Sequence, residues 1–121
     1  MPLRSLRILL VDDYEPLRFL KARLLRKAGA TVLEARDGAQ ACRILESQPV
    51  DVALLDINLP DMPGTEIARK IRECPATSAV RVIFTSASEL KQGLAPGELF
   101  LQEPIDAETL YDNIRISLGL C

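Results

Sequence analysis

The sequence predicts an α/β domain built on a doubly wound, five-stranded parallel sheet. Short runs rich in Val, Ile and Leu alternate with helical patterns along the chain. Three runs, 8–11, 52–55 and 80–84, are apolar on both strand faces, as expected for central parallel strands with helices on both sides. Two weaker runs, 31–35 and 99–101, are predicted as strands nearer the edges. Hydrophobic residues make up 48% of the 121 residues, which suffices for one core without disulfides.

The first helix is predicted from a stripe of apolar residues that is followed by a glycine. We expect Gly29 to end this helix, because glycine readily adopts the left-handed conformation of such caps. The basic residues between positions 21 and 27 alternate with leucines and are predicted to lie on the solvated face. The residues expected to face the core are Leu17, Leu20, Leu24 and Ala28.

Turn and capping residues bound the later helices. Asp37 and Gly38 form a turn before the second helix, the third is predicted over 65–74, and Asp106 is a good N-cap for the last. Residues 88–94 can form only one or two helical turns, because a Pro-Gly pair follows them. The chain therefore predicts five β/α units in the flavodoxin-like strand order 2-1-3-4-5, with a short or irregular fourth helix.

The composition excludes several classes of function. Histidine is absent, which excludes a Ser-His-Asp triad, a histidine-ligated zinc site and a phosphohistidine within this chain. The net charge is -2, and the acidic and basic residues are scattered along the chain, so the sequence gives no indication of a nucleic-acid-binding surface. No apolar run approaches the roughly 20 residues of a membrane span, and no signal peptide is visible, so we expect a cytoplasmic domain. We interpret Cys42, Cys74 and Cys121, which lack metal-ligand spacing, as reduced thiols.

Carboxylates follow the ends of two predicted central strands. Asp12 and Asp13 come directly after the first strand, Asp56 ends the third, and Thr85 and Ser86 end the fourth. In the order 2-1-3-4-5 these ends are adjacent, at the edge of the sheet where such folds bind ligands. Three carboxylates this close do not all stay ionised without a cation. We therefore expect Mg²⁺, or Mn²⁺, in this pocket.

On these residues the chain resembles the receiver domain of two-component response regulators, over essentially its whole length. The resemblance rests on four pieces that occur in order, each at the end of the expected strand. They are Asp12-Asp13, the segment 56–64 (DINLPDMPG), Thr85-Ser86-Ala87 and the segment 100–104 (FLQEP). The resemblance implies a single receiver domain over 1–121, with no output domain in the chain.

The resemblance also implies roles for the acidic residues. Asp56 is expected to accept a phosphoryl group from a histidine kinase or a phosphotransfer protein. Asp13 would bind Mg²⁺ directly and Asp12 through water, with Asp56 and the backbone carbonyl of Asn58 as further ligands. Whether the domain is an enzyme stays open, since it would at most phosphorylate and dephosphorylate itself at Asp56.

Two further residues are implied in a conformational switch. Thr85 would move to hydrogen-bond the new phosphoryl oxygen, and Phe100 would swing inward behind it. This local change of charge would alter the surface that is offered to a downstream protein partner. The domain would thus act as a protein-interaction switch, without binding nucleic acid or inserting into a membrane.

One position departs from the family pattern. The family has a lysine before the proline that follows the fifth strand, but here Glu103 precedes Pro104, and Gln102 cannot substitute. The resemblance implies that this lysine pairs with the acceptor Asp56. Two unit charges about 4 Å apart interact by roughly 4 kcal/mol, and a glutamate in place of the lysine turns this attraction into repulsion. Three arrangements are compatible with the sequence, in decreasing order of preference. Glu103 points to solvent, or it tightens binding of the cation, or a basic residue from elsewhere, such as Lys91, reaches the pocket.

This departure keeps a second hypothesis open, namely a pseudo-receiver that binds partners without phosphorylation. A third hypothesis is a different enzyme on the same architecture. A haloacid-dehalogenase-type phosphatase needs a second aspartate two residues after the first, where this chain has Asn58. A dinucleotide site of the Rossmann type needs a G-x-G-x-x-G pattern, which the sequence lacks.

Overall fold

Strands and helices alternate along the chain in the computed structural model, which describes residues 2–90 and 93–119. The strands in these ranges are β1 (Arg7–Val11), β2 (Thr31–Ala35), β3 (Val52–Asp56), β4 (Arg81–Ser86) and β5 (Leu99–Gln102). The helices are α1 (Glu15–Lys27), α2 (Gly38–Ser47), α3 (Gly64–Glu73) and α4 (Ala107–Ser117). The predictions for Lys91 and Cys121 lie outside the described residues.

The sheet confirms the predicted strand order. All five strands run parallel in the order β2-β1-β3-β4-β5. On one side of β3, Leu55 pairs with Val11 of β1, and on the other side Asp56 pairs with Thr85 of β4. The carboxyl ends of β1, β3 and β4 therefore lie side by side at one edge of the sheet.

Two apolar layers cover the sheet, because alternate residues of a strand point to opposite faces. Ile8 and Leu10 of β1 belong to the layer beneath α1 and α4, whereas Leu9 and Val11 belong to the layer beneath α2 and α3. All four side chains are almost completely shielded from solvent. The central strands are thus fixed from both sides, which holds the residues at their carboxyl ends in place.

The inner face of α1 differs from the prediction. Leu20 is 53% exposed, whereas Lys21 is only 6% exposed and Leu25 is fully buried. Successive residues of a helix are rotated by about 100° around its axis. A buried face that is shifted by one residue therefore contains different side chains from the predicted one. The prediction that Leu20 faces the core is wrong, and so is the prediction that Lys21 faces solvent. Gly29 does follow the helix end in the left-handed conformation, with φ of 101°.

The predicted boundaries of the other helices are largely confirmed. The Asp37 carboxylate accepts a hydrogen bond from the N–H of Gln40 at 2.8 Å, and the Asp106 carboxylate accepts one from Thr109 at 2.8 Å. Helix α3 begins at Gly64, one residue before the predicted start. Among the helices of the described ranges, none combines the length and apolar character needed to cross a membrane.

The connection from β4 to β5 is irregular. Its described residues, 87–90 and 93–98, form bends and turns but no helix. The predicted helical turns over 88–94 are therefore absent from the described part of that segment. Glu98 fixes the end of the connection, because its carboxylate accepts the N–H of Ala95 and forms a salt bridge with Arg72 of α3.

Candidate functional site

Three carboxylates meet where β1 and β3 end. Asp12 is buried, Asp13 is exposed and Asp56 is half-buried. One oxygen of each residue lies within 4.8 Å of the others. The strand order predicted this proximity from the sequence, and the structure brings the three side chains together as an acidic cluster.

Both carboxylate oxygens of Asp12 have partners. Oδ1 accepts a hydrogen bond from the backbone N–H of Tyr14 at 3.0 Å, and Oδ2 lies 3.2 Å from Nζ of Lys21. The backbone N–H of Asp12 donates to the carbonyl of Ala35 on β2 at 3.0 Å. The direction of this side chain is therefore fixed before any ligand binds, as a preorganised site requires.

Asp56 is held by its own turn and by the neighbouring strand. Its Oδ1 accepts a hydrogen bond from the backbone N–H of Asn58 at 3.0 Å. Ile57, the next residue, donates its N–H to the carbonyl of Thr85 at 3.1 Å. The chain thus keeps its sheet pairing one residue past β3, and this pairing positions the Asp56 carboxylate at the sheet edge.

The environment of Asp56 shifts its acidity. Burial raises the pKa of Asp56 from 3.8 to about 6. The hydrogen bond from Asn58 opposes this rise, the other two carboxylates of the cluster add to it, and Lys21 opposes it. At neutral pH the carboxylate is still mostly ionised, which is the form that a nucleophile needs.

A buried lysine reaches the acidic cluster from α1. Nζ of Lys21 lies 3.2 Å from Oδ2 of Asp12 and 2.9 Å from Oε1 of Glu103. The side chains of Lys21, Asp12 and Glu103 are only 7%, 2% and 10% exposed. A buried charge is costly unless it is paired. These two contacts therefore explain how the inner face of α1 tolerates a lysine.

Glu103 lies inside the pocket, so the expectation that it points to solvent is wrong. Its N–H donates to the carbonyl of Ser86 at 2.8 Å, and its peptide bond to Pro104 is cis. A basic residue from elsewhere does reach this position, namely Lys21 of α1, whereas the suggested Lys91 lies outside the described residues. The sequence contained a signal that Lys21 faces inward but none for its partner, because a lysine four residues before Leu25 shares the helix face of that leucine.

Hydroxyl groups border the acidic cluster on the β4 side. Thr85 and Ser86 are 2% and 3% exposed. The Ser86 hydroxyl accepts hydrogen bonds from the N–H of Ser88 at 3.1 Å and from the side-chain amide of Asn58 at 3.4 Å. Phe100 on β5 is half-buried and packs on the apolar layer beneath α2 and α3. The switch roles of Thr85 and Phe100 and the metal-ligand role of the Asn58 carbonyl stay predictions.

The loop between β3 and α3 closes tightly around the site. A Cβ atom at Gly64 would lie 2.3 Å from the carbonyl oxygen of Asp56, so glycine is required there. Asp61 in the same loop accepts N–H bonds from Gly38 at 2.8 Å and Ala39 at 2.9 Å, which caps α2. The hydrogen bond from Gly38 is the main cause that lowers the pKa of Asp61. This cap could not be predicted from the sequence, because its partners are 23 positions apart.

The donor set of the acidic cluster fits a hard divalent cation. Mg²⁺ prefers carboxylate oxygens and keeps several waters, which suits a site with one exposed member. A cation would also reduce the mutual repulsion that helps to raise the pKa of Asp56. The residues that would hold Mg²⁺ or Mn²⁺ are Asp12, Asp13 and Asp56.

Comparison with known proteins gives similarity over nearly the whole chain. Residues 8–115 match the family described as the response regulator receiver domain. Protein PilH of Pseudomonas aeruginosa is 30% identical over 93% of this chain and 98% of its own length. Sensor protein EvgS of Escherichia coli is 35% identical over 91% of this chain, which spans only 9% of EvgS.

A solved structure extends the similarity to three dimensions. The receiver domain of the sensor histidine kinase PA1611 from Pseudomonas aeruginosa PAO1 is 28% identical, with a TM-score of 0.84. The similarity covers 94% of this chain and 98% of that domain, which was solved with a magnesium ion coordinated in its active site cleft. The family match, the similar sequences and the shared fold all point to the same family. This chain belongs to the response regulator receiver domains of two-component signal transduction.

Proposed function

We propose that this domain accepts a phosphoryl group on Asp56 from a histidine kinase or a phosphotransfer protein in the cytoplasm, with Mg²⁺ held by the acidic cluster. The observation that carries the proposal is the environment of Asp56. An ionised carboxylate ends a central strand, and oxygens of Asp12 and Asp13 lie within 4.8 Å of it. This arrangement provides a nucleophile next to a site for the cation that phosphoryl transfer requires.

The reaction forms one bond and breaks one bond. A carboxylate oxygen of Asp56 forms the new bond to phosphorus, while the bond from phosphorus to the donor atom breaks and the donor leaves with the electron pair. A bound Mg²⁺ would supply charge stabilisation for the phosphoryl oxygens. The protein orients the reacting groups, because Asp12 is fixed by Tyr14 and Asp56 by the N–H of Asn58.

The output is proposed to arise on the β4–β5 side of the domain. Thr85 pairs with Asp56 in the sheet register, so its hydroxyl is our candidate on β4 for a hydrogen bond to the phosphoryl group. Phe100 pairs with Phe84 on the neighbouring strand. A displacement of Thr85 would therefore be transmitted to Phe100 through adjacent strands, and a downstream protein would recognise the changed surface.

The test is phosphorylation by a small donor. We would incubate the domain with acetyl phosphate and Mg²⁺ and measure the intact mass, with Asp56→Asn and an EDTA-treated sample as controls. A single phosphoryl adduct on the wild type, absent from both controls, is expected. No adduct with acetyl phosphate or with any competent kinase would contradict the proposal.

A second candidate function is a protein-binding module that works without phosphorylation. Two features support it: Glu103 lies in the pocket at the position where the resemblance implies a lysine, and the described part of the β4–β5 connection has no helix. This candidate predicts a partner whose affinity is the same for the wild type and for Asp56→Asn. A partner that binds only the phosphorylated domain would exclude it.

A further inference from the structure

We propose that the ammonium group of Lys21 contacts the phosphoryl group on Asp56, and that Glu103 positions this ammonium group. The pair would together replace the lysine that the family carries before the proline. This inference rests on the proposed phosphorylation of Asp56. It assigns a positioning role to the residue that departs from the family pattern and a phosphoryl-binding role to a residue of α1.

The position of the ammonium group is the first argument. Nζ of Lys21 lies 3.2 Å from Oδ2 of Asp12, and Asp12 offers an oxygen within 4.8 Å of Asp56. The ammonium is therefore separated from the phosphoryl acceptor by one carboxylate.

The hydrogen-bonding capacity of the ammonium is the second argument. A lysine side chain carries three N–H donors. In the described part of the chain, Nζ of Lys21 bonds to Asp12 and to Glu103, which uses two of the three. The third donor is available for an oxygen of a phosphoryl group that arrives in the cluster.

The support beneath the lysine is the third argument. Its stem lies on the buried face of α1, beside Leu25 and Ala22 in the helix, and the side chain is only 7% exposed. Glu103 is fixed by the hydrogen bond from its N–H to the carbonyl of Ser86 at 2.8 Å. The lysine is thus held at both ends, as a preorganised phosphoryl-binding group should be.

Charge distinguishes this arrangement from the family pattern. The carboxylate of Glu103 and the ammonium of Lys21 are 2.9 Å apart and together carry no net charge. A single lysine at position 103 would instead add one positive charge to the three carboxylates. The pair of Lys21 and Glu103 therefore contributes a directed N–H donor but little net charge. A bound Mg²⁺ would have to offset a larger share of the repulsion among the three carboxylates.

The experiment compares variants that remove or relocate the lysine. Lys21→Met keeps the apolar stem and removes the charge, and Lys21→Met/Glu103→Lys places a lysine where the family has it. Lys21→Met/Glu103→Met removes both charges, so no buried carboxylate is left unpaired at position 103. Arg26→Met is the matched control, because Arg26 is a cation of the same helix that binds Glu34 instead of the acidic cluster. Thermal unfolding checks that each variant is folded.

Three quantities are measured on each folded variant. They are the rate of adduct formation with acetyl phosphate, the affinity for Mg²⁺ alone, and the affinity for beryllofluoride at saturating Mg²⁺ by calorimetry. We expect both variants without a pocket lysine to lose at least about tenfold in adduct rate and in beryllofluoride affinity. Their affinity for Mg²⁺ alone should be unchanged or higher, because the ammonium group that pairs with Asp12 has been removed. Damage to the fold would weaken both kinds of binding.

The relocated lysine and the wild type complete the test. Lys21→Met/Glu103→Lys is expected to recover most of the lost rate, and Arg26→Met should behave as the wild type. The inference is overturned if the variant without either charge reacts as fast as the wild type, or if relocation of the lysine recovers nothing. A wild type that forms no adduct with acetyl phosphate or with any competent kinase overturns the proposed function itself, whereas a reactive wild type with equally reactive variants overturns only the role of Lys21.

Discussion

Asp56→Asn is expected to stabilise the metal-free domain at pH 8. The substitution removes one negative charge from the acidic cluster and nearly preserves the shape of the side chain. The wild-type carboxylate is half-buried, and its pKa is raised from 3.8 to about 6 mainly by that burial. Asparagine keeps the oxygen that accepts the N–H of Asn58, so the turn after β3 should be retained.

The size of the effect follows from the shift in pKa. A rise from 3.8 to about 6 corresponds to roughly 3 kcal/mol of unfavourable free energy for the ionised form. The carboxylate is only half-buried, so solvent screens part of this term, and we expect about 1–2 kcal/mol of stabilisation in the variant. For a domain of this length that is a rise in Tm of about 3–10 °C.

The sign of the pH dependence can be worked out. The pKa of Asp56 is higher in the folded state than in the unfolded chain, so the penalty is absent below pH 3.8. The penalty grows as the pH rises from 3.8 and is complete above a pH of about 6. The advantage of Asp56→Asn should therefore fall to about half of its full size at pH 5.

The assay is thermal unfolding followed by circular dichroism in EDTA, at pH 5 and at pH 8. Asp112→Asn is the matched control, because Asp112 is a half-exposed acid on α4 whose partner Arg115 lies outside the acidic cluster. A variant that is no more stable than the wild type at pH 8 would refute the reasoning. So would a gain of equal size at both pH values, since it could not arise from ionisation of Asp56.

Three other predictions test separate parts of the site. Mg²⁺ at about a hundred times its Kd should stabilise the wild type by about 2.7 kcal/mol, and Asp13→Asn should lose most of this gain in a melting titration. Gly64→Ala should cost about 1–3 kcal/mol in urea unfolding, because its Cβ would press on the Asp56 carbonyl. Gly38→Ala, where the new Cβ meets a methionine side chain that can move, is the control and should cost less. Asp61→Ala should lower the Tm at pH 7 by a few degrees because it removes the hydrogen bonds that Asp61 accepts from the first two N–H groups of α2. This difference should shrink at low pH, since the pKa of Asp61 is lowered in the folded state and the cap is lost once the carboxylate is protonated.

The strand order and the acidic cluster could be predicted from the sequence because they depend on local patterns. Runs that are apolar on both faces identify the central strands, and parallel strands place their carboxyl ends at one edge. Asp12, Asp13 and Asp56 follow such runs directly, so their proximity needs only the correct strand order. Capping by Asp37 is equally local, since its partner lies three residues ahead.

The contacts that cross between elements could not be predicted in this way. The cap that Asp61 provides for α2 joins residues 23 positions apart, and the bond between Lys21 and Glu103 spans 82 positions. Nothing in the local pattern around either residue identifies its partner. The pattern of leucines in α1 favoured a buried face that includes Leu20, but in the folded domain Leu20 is exposed and Lys21 and Leu25 are buried.

The sequence by itself determined the fold, the family and the place where three carboxylates gather, because hydrophobic periodicity and strand-end residues are local properties. The tertiary structure decided what Glu103 does. Taken alone, this residue adds a negative charge to an acidic pocket, so its predicted location was the solvent. In the folded domain, α1 brings the ammonium of Lys21 to within 2.9 Å of its carboxylate. A buried charge is retained only where packing provides its partner, and that partner is set by how helix and sheet pack.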